Sequence, residues 1–228
     1  MAFKDWLILV EGPHGIDVAG KRSPDAAANL TDSPLYLREY QWGREEANMV
    51  ADILMAQGFQ VVVLVPEETE PGLAERVRRA NAYYKRHGYK KTIFLSHHVN
   101  AAGRGRNWLN ARGICFYTSV GQTEGDKIVE EMFLVAKEEM YDPKRNYITT
   151  FDPKDKQKPI RTDYSDGDAD REANFYVLRN TRCPAVLIEC CFQDNKQDVL
   201  WLKTDQGKAS CAYIISEGVI NYVLKYDK

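Results

Sequence analysis

Histidines and carboxylates that lie at the ends of apolar runs are the residues of this sequence best suited to chemistry. Of the four histidines, His14 follows the first predicted strand and His98 follows the third. Ligands of open α/β sheets collect beyond the carboxyl ends of strands, so both side chains are expected at one crevice. Two histidines and a carboxylate, with a fourth position left open, form a usual catalytic zinc set. Taken alone, however, a histidine at a strand end is more often a hydrogen-bonded structural residue than a metal ligand.

Two carboxylates stand out by their positions. Glu39 comes just before a helical pattern, where a carboxylate also interacts favourably with the helix dipole. Glu189 lies inside Pro-Ala-Val-Leu-Ile-Glu-Cys-Cys-Phe, the most apolar strand of the chain. A carboxylate there is costly unless it is paired, protonated or near a metal ion. Glu189 is therefore a candidate for catalysis, with a structural role as the alternative.

Alternating apolar and amphipathic stretches predict the elements that position these residues. The predicted helices cover residues 42–57, residues 73–86 and a C-terminal stretch that includes Ala212 and Tyr222. This alternation predicts an α/β fold: a single domain with a mostly parallel sheet of about six strands and helices on both faces. The predicted strands are Trp6–Val10, Gln60–Val65, Thr92–Ser96, Gly113–Thr118, Asn174–Leu178 and Ala185–Cys190.

Three further stretches could contribute to a binding surface. Ala101–Arg112 and Met140–Glu172 are predicted loops, and loops of this length in a compact domain are often functional. From Arg76 to Lys91 there are seven basic residues and no acidic one. We interpret this run as a solvated helix face, with attraction of an anionic polymer as the alternative.

Composition excludes several classes of protein. In 228 residues, 44% hydrophobic and 28% charged residues exclude intrinsic disorder and fibrous structure. The formal charge of −2 argues against a dedicated nucleic-acid binder. A chain of this length folds without a metal, so a bound metal would be catalytic. The five cysteines show no C-x-x-C spacing and are interpreted as small buried residues. No window approaches the ~20 apolar residues of a membrane span.

Taken together, these residues resemble the zinc-dependent N-acetylmuramoyl-L-alanine amidases of the Amidase_3 type, cell-wall hydrolases of bacteria and phages. The resemblance runs in order from about Leu7 to Tyr222. Its pieces are Gly-Pro-His-Gly ending at Gly15, Glu39 at a helix start, Gly58–Val61 with Leu73, Arg76, Ala80 and Asn81, the set Ser96, His98 and Asn100, and Tyr176–Arg179 followed by Pro184–Glu189.

The resemblance implies one zinc ion held by His14, Glu39 and His98, with Glu189 as the catalytic proton shuttle. Zinc would lower the pKa of its bound water and polarise the lactyl carbonyl, and Glu189 would carry the proton to the leaving amine. The implied substrate is the amide between the lactyl group of N-acetylmuramic acid and L-alanine of the peptidoglycan stem peptide. The two loops would line the substrate groove, with Arg104, Arg106 or Arg112 as candidates for meeting stem-peptide carboxylates.

Some positions depart from the family pattern or compete with the assigned ligands. The order Gly12-Pro13 is the reverse of the usual one, which affects how His14 approaches the metal. The segment Gly20–Pro24 resembles an insertion found in phage endolysins and Bacteroides-type amidases.

Rival ligands remain for two of the three positions. Glu45 and Glu46 compete with Glu39, whose place ahead of the helix favours it. His97 competes with His98, but neighbouring strand residues point to opposite faces. The asparagine two residues after His98 favours His98.

The same resemblance leads to expectations about organisation and partners. We expect residues 1–228 to form one catalytic domain without a separate wall-binding domain, acting on peptidoglycan as a monomer, with no nucleic-acid partner and no membrane insertion. The sequence shows no signal peptide, so we expect synthesis in the cytoplasm and action on the cell wall, with holin-mediated release of a phage endolysin or a removed leader as routes. The alternative functions are a zinc peptidase on the same scaffold and a non-catalytic peptidoglycan-binding module.

Overall fold

A six-stranded sheet forms the centre of the protein in the computed structural model, which describes residues 3–152 and 157–227. The strand order is β2-β1-β3-β6-β4-β5. The strands are β1 (Leu7–Glu11), β2 (Gln60–Val63), β3 (Thr92–Asn100), β4 (Cys115–Thr118), β5 (Arg171–Glu172) and β6 (Ala185–Phe192). The helices of the described residues are α1 (Pro24–Ala27), α2 (Glu39–Ala56), α3 (Leu73–Arg86), α4 (Glu124–Tyr141), α5 (Tyr176–Asn180), α6 (Lys196–Leu202) and α7 (Asp205–Tyr226).

Four neighbouring strands, β2, β1, β3 and β6, run parallel, as the alternating pattern predicts. The strand β4 pairs with β6 in the antiparallel sense, and β5 pairs with β4 in the parallel sense. The strands β4 and β5 therefore run opposite to the other four. The sheet is mostly parallel, which confirms the predicted fold class.

Helices cover both faces of this sheet because alternate residues of each buried strand point to opposite sides. On one face, Ile8 and Ile93 belong to a core shared with α2, α4 and α7. On the other face, Leu9 and Phe94 pack with residues of α3 and α5. All five cysteines are buried in their free form, as predicted. No helix within the described ranges is long and apolar enough to cross a membrane.

One predicted strand is wrong. Residues 174–178 contain no strand: Phe175 precedes the short helix α5, Tyr176–Asn180. Val177 and Leu178 are buried on the side that faces α3. Two adjacent apolar residues fit a buried helical turn as well as a strand, so the pattern did not distinguish the two structures.

The loops fall where the sequence predicts them, with some local structure. Residues 101–112 contain no helix or strand. In the predicted loop Met140–Glu172, the first two residues end α4, two single 3-10 turns follow, and the last two residues form β5. Residues 153–156 of that loop lie outside the described residues. The helix α4 was not among the predicted elements.

The topology brings the candidate residues to one edge of the sheet. The parallel strands β1, β3 and β6 lie side by side, and in the register of β3 with β6, His98 is opposite Glu189. His14 lies three residues beyond the end of β1, and α2 begins at Glu39. Four side chains distant in sequence are therefore expected around one crevice.

Candidate metal centre

The side chains of His14, Glu39 and His98 converge at the carboxyl ends of β1 and β3. His98 was predicted to follow the third strand, but β3 continues to Asn100 and contains it. One ligand atom from each residue can be chosen so that all three lie within 4.8 Å of one another. The Oε1 atom of Glu39 is 3.0 Å from Nδ1 of His98 and 3.5 Å from Nε2 of His14. The two imidazole rings meet edge to face with centroids 5.0 Å apart. The structure thus brings together the three residues that the resemblance assigned to a metal.

This arrangement fits a small divalent cation. Two atoms that each lie about 2.1 Å from one ion in a tetrahedral site are about 3.4 Å apart, close to the separations from Glu39 to both histidines. Nε2 of His14 and Oε2 of Glu39 are buried without a hydrogen-bond partner. Buried polar atoms are ordinarily satisfied, so these two atoms are free for a ligand that accepts electron pairs.

Both histidines are held in the neutral form that metal binding requires. Burial lowers the pKa of His14 to about 3, although the nearby Glu39 carboxylate partly opposes this effect. Burial also lowers the pKa of His98 to about 3, with Lys21 and Arg76 adding to the effect. At neutral pH each imidazole therefore offers a lone pair.

Glu39 is held by the first turn of α2 and by its neighbours. Its side chain is only 1% exposed, and the main-chain N–H of Val99 donates a hydrogen bond of 3.2 Å to its Oε1 atom. Its own main-chain N–H donates to the carbonyl of Lys21 at 3.1 Å. Burial raises the pKa of Glu39, and the charge of a protonated His14 would oppose this shift. A buried carboxylate of this kind is stabilised by a cation bound beside it.

The loop that carries His14 is held in an unusual conformation. His14 has a φ of 42°, in the left-handed region that side chains other than glycine rarely adopt. The ring of Pro13 lies against Gly43 of α2, where a Cβ atom would come 2.0 Å from Cδ of Pro13. Arg44, also on α2, donates hydrogen bonds to the carbonyls of Pro13 and His14 at 2.7 and 2.8 Å. The reversed Gly12-Pro13 order is thus accommodated by a glycine and an arginine of the facing helix.

A second carboxylate stands behind His14. Oε2 of Glu70 is 3.8 Å from Nδ1 of His14, the ring nitrogen that does not face Glu39. Glu70 is itself held by Arg76, which also pairs with Glu11 at 2.5 Å. Carboxylates in this position orient metal-binding imidazoles. Neither Arg44 nor Glu70 was predicted as a site residue from the sequence, and Arg76 appeared only as a residue of the family motifs.

The basic run from Arg76 to Lys91 is partly internal. Arg76 is 1% exposed, so the interpretation of this residue as part of a solvated face is wrong. Arg78 and Arg79 pair with Glu75, and Arg79 also pairs with Glu67. Glu67 and Glu75 both precede Arg76 in the sequence. The run from Arg76 to Lys91 therefore contains the arginines but not their acidic partners. The charge available to an anionic polymer is correspondingly reduced.

His97 points away from the three converging residues. It is fully buried, and neither ring nitrogen has a hydrogen-bond partner. Burial lowers its pKa to about 3. Its neighbour His98 contacts Glu39, as expected if adjacent strand residues occupy opposite faces.

Glu189 lies on β6 beside the three converging residues. Its side chain is half-buried, and its Oε2 atom has no hydrogen-bond partner. Burial raises the pKa of Glu189 well above its ordinary value, and the neighbouring charge of Glu39 raises it further. The structure therefore brings an unpartnered carboxyl group of high pKa to the edge of the candidate metal centre. Groups perturbed in this way are typical of active sites.

The rival carboxylates Glu45 and Glu46 lie elsewhere on α2. Glu45 is exposed and pairs with Lys208 at 2.6 Å. Glu46 is 1% exposed, and neither of its oxygens has a hydrogen-bond partner. Among the described residues, neither joins a group of three or more possible ligands, whereas Glu39 does.

Comparison with known proteins agrees with this arrangement. Residues 14–221 match the family Amidase_3, which is described as N-acetylmuramoyl-L-alanine amidase. The match includes all four candidate residues and most of the chain. The chain belongs to the Amidase_3 family. The resemblance inferred from the sequence motifs is thereby confirmed.

The proteins similar to this chain come from both phages and bacteria. The chain is 26% identical over 215 residues to the endolysin of Bacillus phage SPP1, covering 93% of this chain and 64% of that protein. The chain thus spans somewhat less than two thirds of that relative. The solved structure of an amidase from Clostridium difficile 630 has a TM-score of 0.70 at 23% identity, covering 97% and 98% of the two chains. Amidase AmiC2 of Nostoc punctiforme has a TM-score of 0.70 at 20% identity, covering 96% and 98%. These two structures share the fold of this chain.

Proposed function

We propose that this protein is a zinc-dependent N-acetylmuramoyl-L-alanine amidase that hydrolyses the amide between the lactyl group of N-acetylmuramic acid and L-alanine of the stem peptide. The observation that carries the proposal is the convergence of His14, Glu39 and His98 next to the unpartnered carboxyl group of Glu189. Two neutral imidazoles and one carboxylate are the donor set of catalytic zinc sites that leave one position open.

The chain itself supplies the geometry and the proton transfer. When bound, a zinc ion supplies Lewis-acid chemistry, polarising an amide carbonyl and acidifying a water molecule. His14, Glu39 and His98 hold the ion. Glu189 accepts the proton of the attacking water and donates a proton to the amine nitrogen of L-alanine as the C–N bond breaks. The C–N bond is thereby replaced by a C–O bond, and a lactyl carboxylate and a free amine are released.

The environment of Glu189 suits this double role. A carboxyl group that first accepts and then donates a proton works best when its pKa is near the working pH. Burial and the Glu39 charge raise the pKa of Glu189 in that direction. Because Glu189 lies on β6 opposite His98 of β3, the base is held by the sheet instead of a loop. Such rigid placement favours proton transfer over a short distance.

The same observations support a self-contained catalytic unit that acts on peptidoglycan. All four side chains belong to one chain and one sheet edge, which supports activity of the monomer without residues from a second copy. Similarity to a phage endolysin supports cell-wall lysis as the biological role. We propose residues 1–228 as one catalytic domain.

Digestion of purified peptidoglycan tests the proposed reaction. The expected products carry new L-alanine amino termini, with no new reducing sugar ends, and a zinc chelator should stop their release until zinc is added back. Equal cleavage of the same stem peptide without its muramoyl group would favour the alternative zinc peptidase. Binding to peptidoglycan without release of any product would favour the non-catalytic module and contradict the proposal.

A further inference from the structure

A cavity of about 610 Å³ next to the candidate metal centre is lined by three arginines, Arg22, Arg104 and Arg106. The loop 101–112 supplies two of them, and the segment before α1 supplies the third. The loop and the segment meet closely: a Cβ atom on Gly105, whose φ is 74°, would lie 3.0 Å from the carbonyl of Gly20. The cavity therefore lies between these two segments, neither of which contributes a strand to the sheet.

The basic side chains around this cavity have no ion-pair partner among the residues that the structure describes. Within the ranges 3–152 and 157–227, no carboxylate lies within ion-pair distance of Arg22, Arg104, Arg106 or the neighbouring Lys21. The Nε atom of Arg22 is buried and has no hydrogen-bond partner. A buried guanidinium nitrogen without an acceptor costs free energy, and a bound anion would remove that cost.

Arg112 is the third arginine that the sequence suggested for contact with stem-peptide carboxylates, but its side chain is bound within the protein. It is buried, and its Nε atom donates to Asp198 at 3.2 Å while its terminal nitrogens donate to Thr150. Its guanidinium group is fully engaged inside the protein. Arg112 is therefore structural, and it is not part of the cavity.

The cavity adjoins the candidate metal centre through the segment that contains Lys21. The carbonyl of Lys21 accepts a hydrogen bond of 3.1 Å from the main-chain N–H of Glu39. Arg22 forms an antiparallel bridge with Arg38, the residue before Glu39. The ammonium group of Lys21 lies near enough to interact electrostatically with both Glu39 and Glu189.

The loop that carries Arg104 and Arg106 is fixed at its base. The carboxylate of Asp194, just beyond β6, accepts hydrogen bonds from the main-chain N–H groups of Ala102 and Gly103 at 3.1 and 2.8 Å. The N–H of Leu109 donates to the carbonyl of Asp194 at 2.7 Å. Both ends of the arginine-bearing turn are thus attached to Asp194, two residues beyond the strand that carries Glu189.

We propose that this cavity is a subsite for the carboxylates of the stem peptide, an inference that rests on the amidase function proposed above. Guanidinium groups match carboxylates in shape and charge and can donate two parallel hydrogen bonds. On the two sides of the scissile amide, the glycan is uncharged, whereas the stem peptide carries carboxylates. The three arginines therefore orient the peptide side toward the 101–112 loop and favour stems whose carboxylates are free over stems in which they are amidated.

Two soluble muramoyl pentapeptides test the subsite, one with free stem carboxylates and one in which they are amidated. We expect the parent protein to cleave the free form with a kcat/KM about tenfold higher, because each charge-assisted hydrogen bond contributes on that scale. The double variant Arg104→Gln/Arg106→Gln should lose this preference through a higher KM for the free form, with the amidated form unaffected. Both arginines are exposed, so the substitutions should leave folding intact.

Arg182→Gln provides the matched control. Arg182 is exposed, has no ion pair in the described structure and precedes the amino end of β6, away from the metal centre. It should keep the preference of the parent. Equal kcat/KM of the parent for both substrates, or an unchanged preference in the double variant, would overturn the subsite while leaving the amidase function in place. Cleavage of neither substrate by the parent would contradict the amidase function and the subsite with it.

Discussion

The Nη2 atom of Arg44 donates a hydrogen bond of 2.8 Å to the main-chain carbonyl of His14. His14 has a φ of 42°, a conformation that costs on the order of 1–3 kcal/mol for a residue other than glycine. The same guanidinium group also holds the carbonyls of Pro13 and Glu67. Arg44 therefore offsets the strain that aims the His14 ring at Glu39.

Replacing Arg44 tests this positioning role. Arg44→Met keeps the length of the side chain but removes every donor, so His14 should relax and zinc affinity should fall about tenfold, as for residues that orient metal ligands. Competition with a chelator measures the affinity. The adjacent exposed residue gives the control Glu45→Gln, which should bind zinc as the parent does. Parent-like affinity in Arg44→Met would show that the His14 loop holds its conformation without Arg44.

Glu46 offers a test of both stability and ligand assignment. Its carboxyl group is buried without a hydrogen-bond partner, and burial raises its pKa well above the ordinary value. Glu46→Met replaces it with an apolar side chain of similar volume and should stabilise the protein by about 1–2 kcal/mol. Urea unfolding should show a higher midpoint with an unchanged slope. Zinc content should stay at the parent level, and its loss would make Glu46 a ligand.

The pair Asp168 and Asp170 predicts a pH dependence of stability. Burial raises the pKa of Asp170 to about 7, and a hydrogen bond from Asp170 lowers the pKa of Asp168. The folded pair therefore keeps one proton in a range where both unfolded carboxyls are ionised. The contribution of this pair to stability is therefore greatest near the unfolded pKa of about 4 and decreases as the pH rises toward 7.

Asp170→Asn should remove this component, because an amide donates to Asp168 at any pH. Thermal unfolding from pH 4 to pH 8 should therefore give a Tm profile for the variant that is flatter than that of the parent between pH 4 and 7. Identical profiles would mean that the two carboxyl groups do not share a proton. Asp166→Asn, at an exposed position of the same loop, serves as the control and should behave as the parent.

Much of the fold could be predicted from the sequence because buried parallel strands are nearly continuous apolar runs. The runs near Leu9, Phe94 and Val186 each form a strand. His14 follows β1 as predicted, whereas His98 lies within the last three residues of β3. The antiparallel direction of β4 could not be predicted, since strand patterns carry no direction. For the missed helix α4, a signal was present: Thr123 and Asp126 form a capping box ahead of its apolar face.

The candidate site was predictable only in its innermost residues. His14, His98 and Glu189 stand out because they are polar residues at a strand end or inside an apolar strand. Burial of a polar side chain there costs free energy unless a partner or a bound ion compensates for it. Arg44 and Glu70 gave no such signal, since both lie in polar surroundings and act on a loop far away in sequence. Arg44 is separated from His14 by 30 positions, and only the fold brings them together.

Glu189 separates proton transfer from metal binding. Glu189→Gln keeps the shape and polarity of the side chain but cannot carry the proton, so the rate of stem-peptide release should fall by at least ~10²-fold. Zinc content and peptidoglycan binding should remain near those of the parent. If Glu189 were structural, the variant would instead lose stability and retain activity per folded molecule. Parent-like rates in a zinc-loaded Glu189→Gln protein would exclude Glu189 from the mechanism.

The central claim is that one zinc ion is bound by His14, Glu39 and His98. The most direct test is the zinc content per chain of His98→Asn and His97→Asn, two identical changes at adjacent positions of β3. His98 contacts Glu39, whereas His97 is buried on the other face without a hydrogen-bond partner. We predict one zinc ion per chain in the parent and in His97→Asn, and almost none in His98→Asn. Zinc retained in His98→Asn, or lost equally from both variants, would contradict the proposed metal centre.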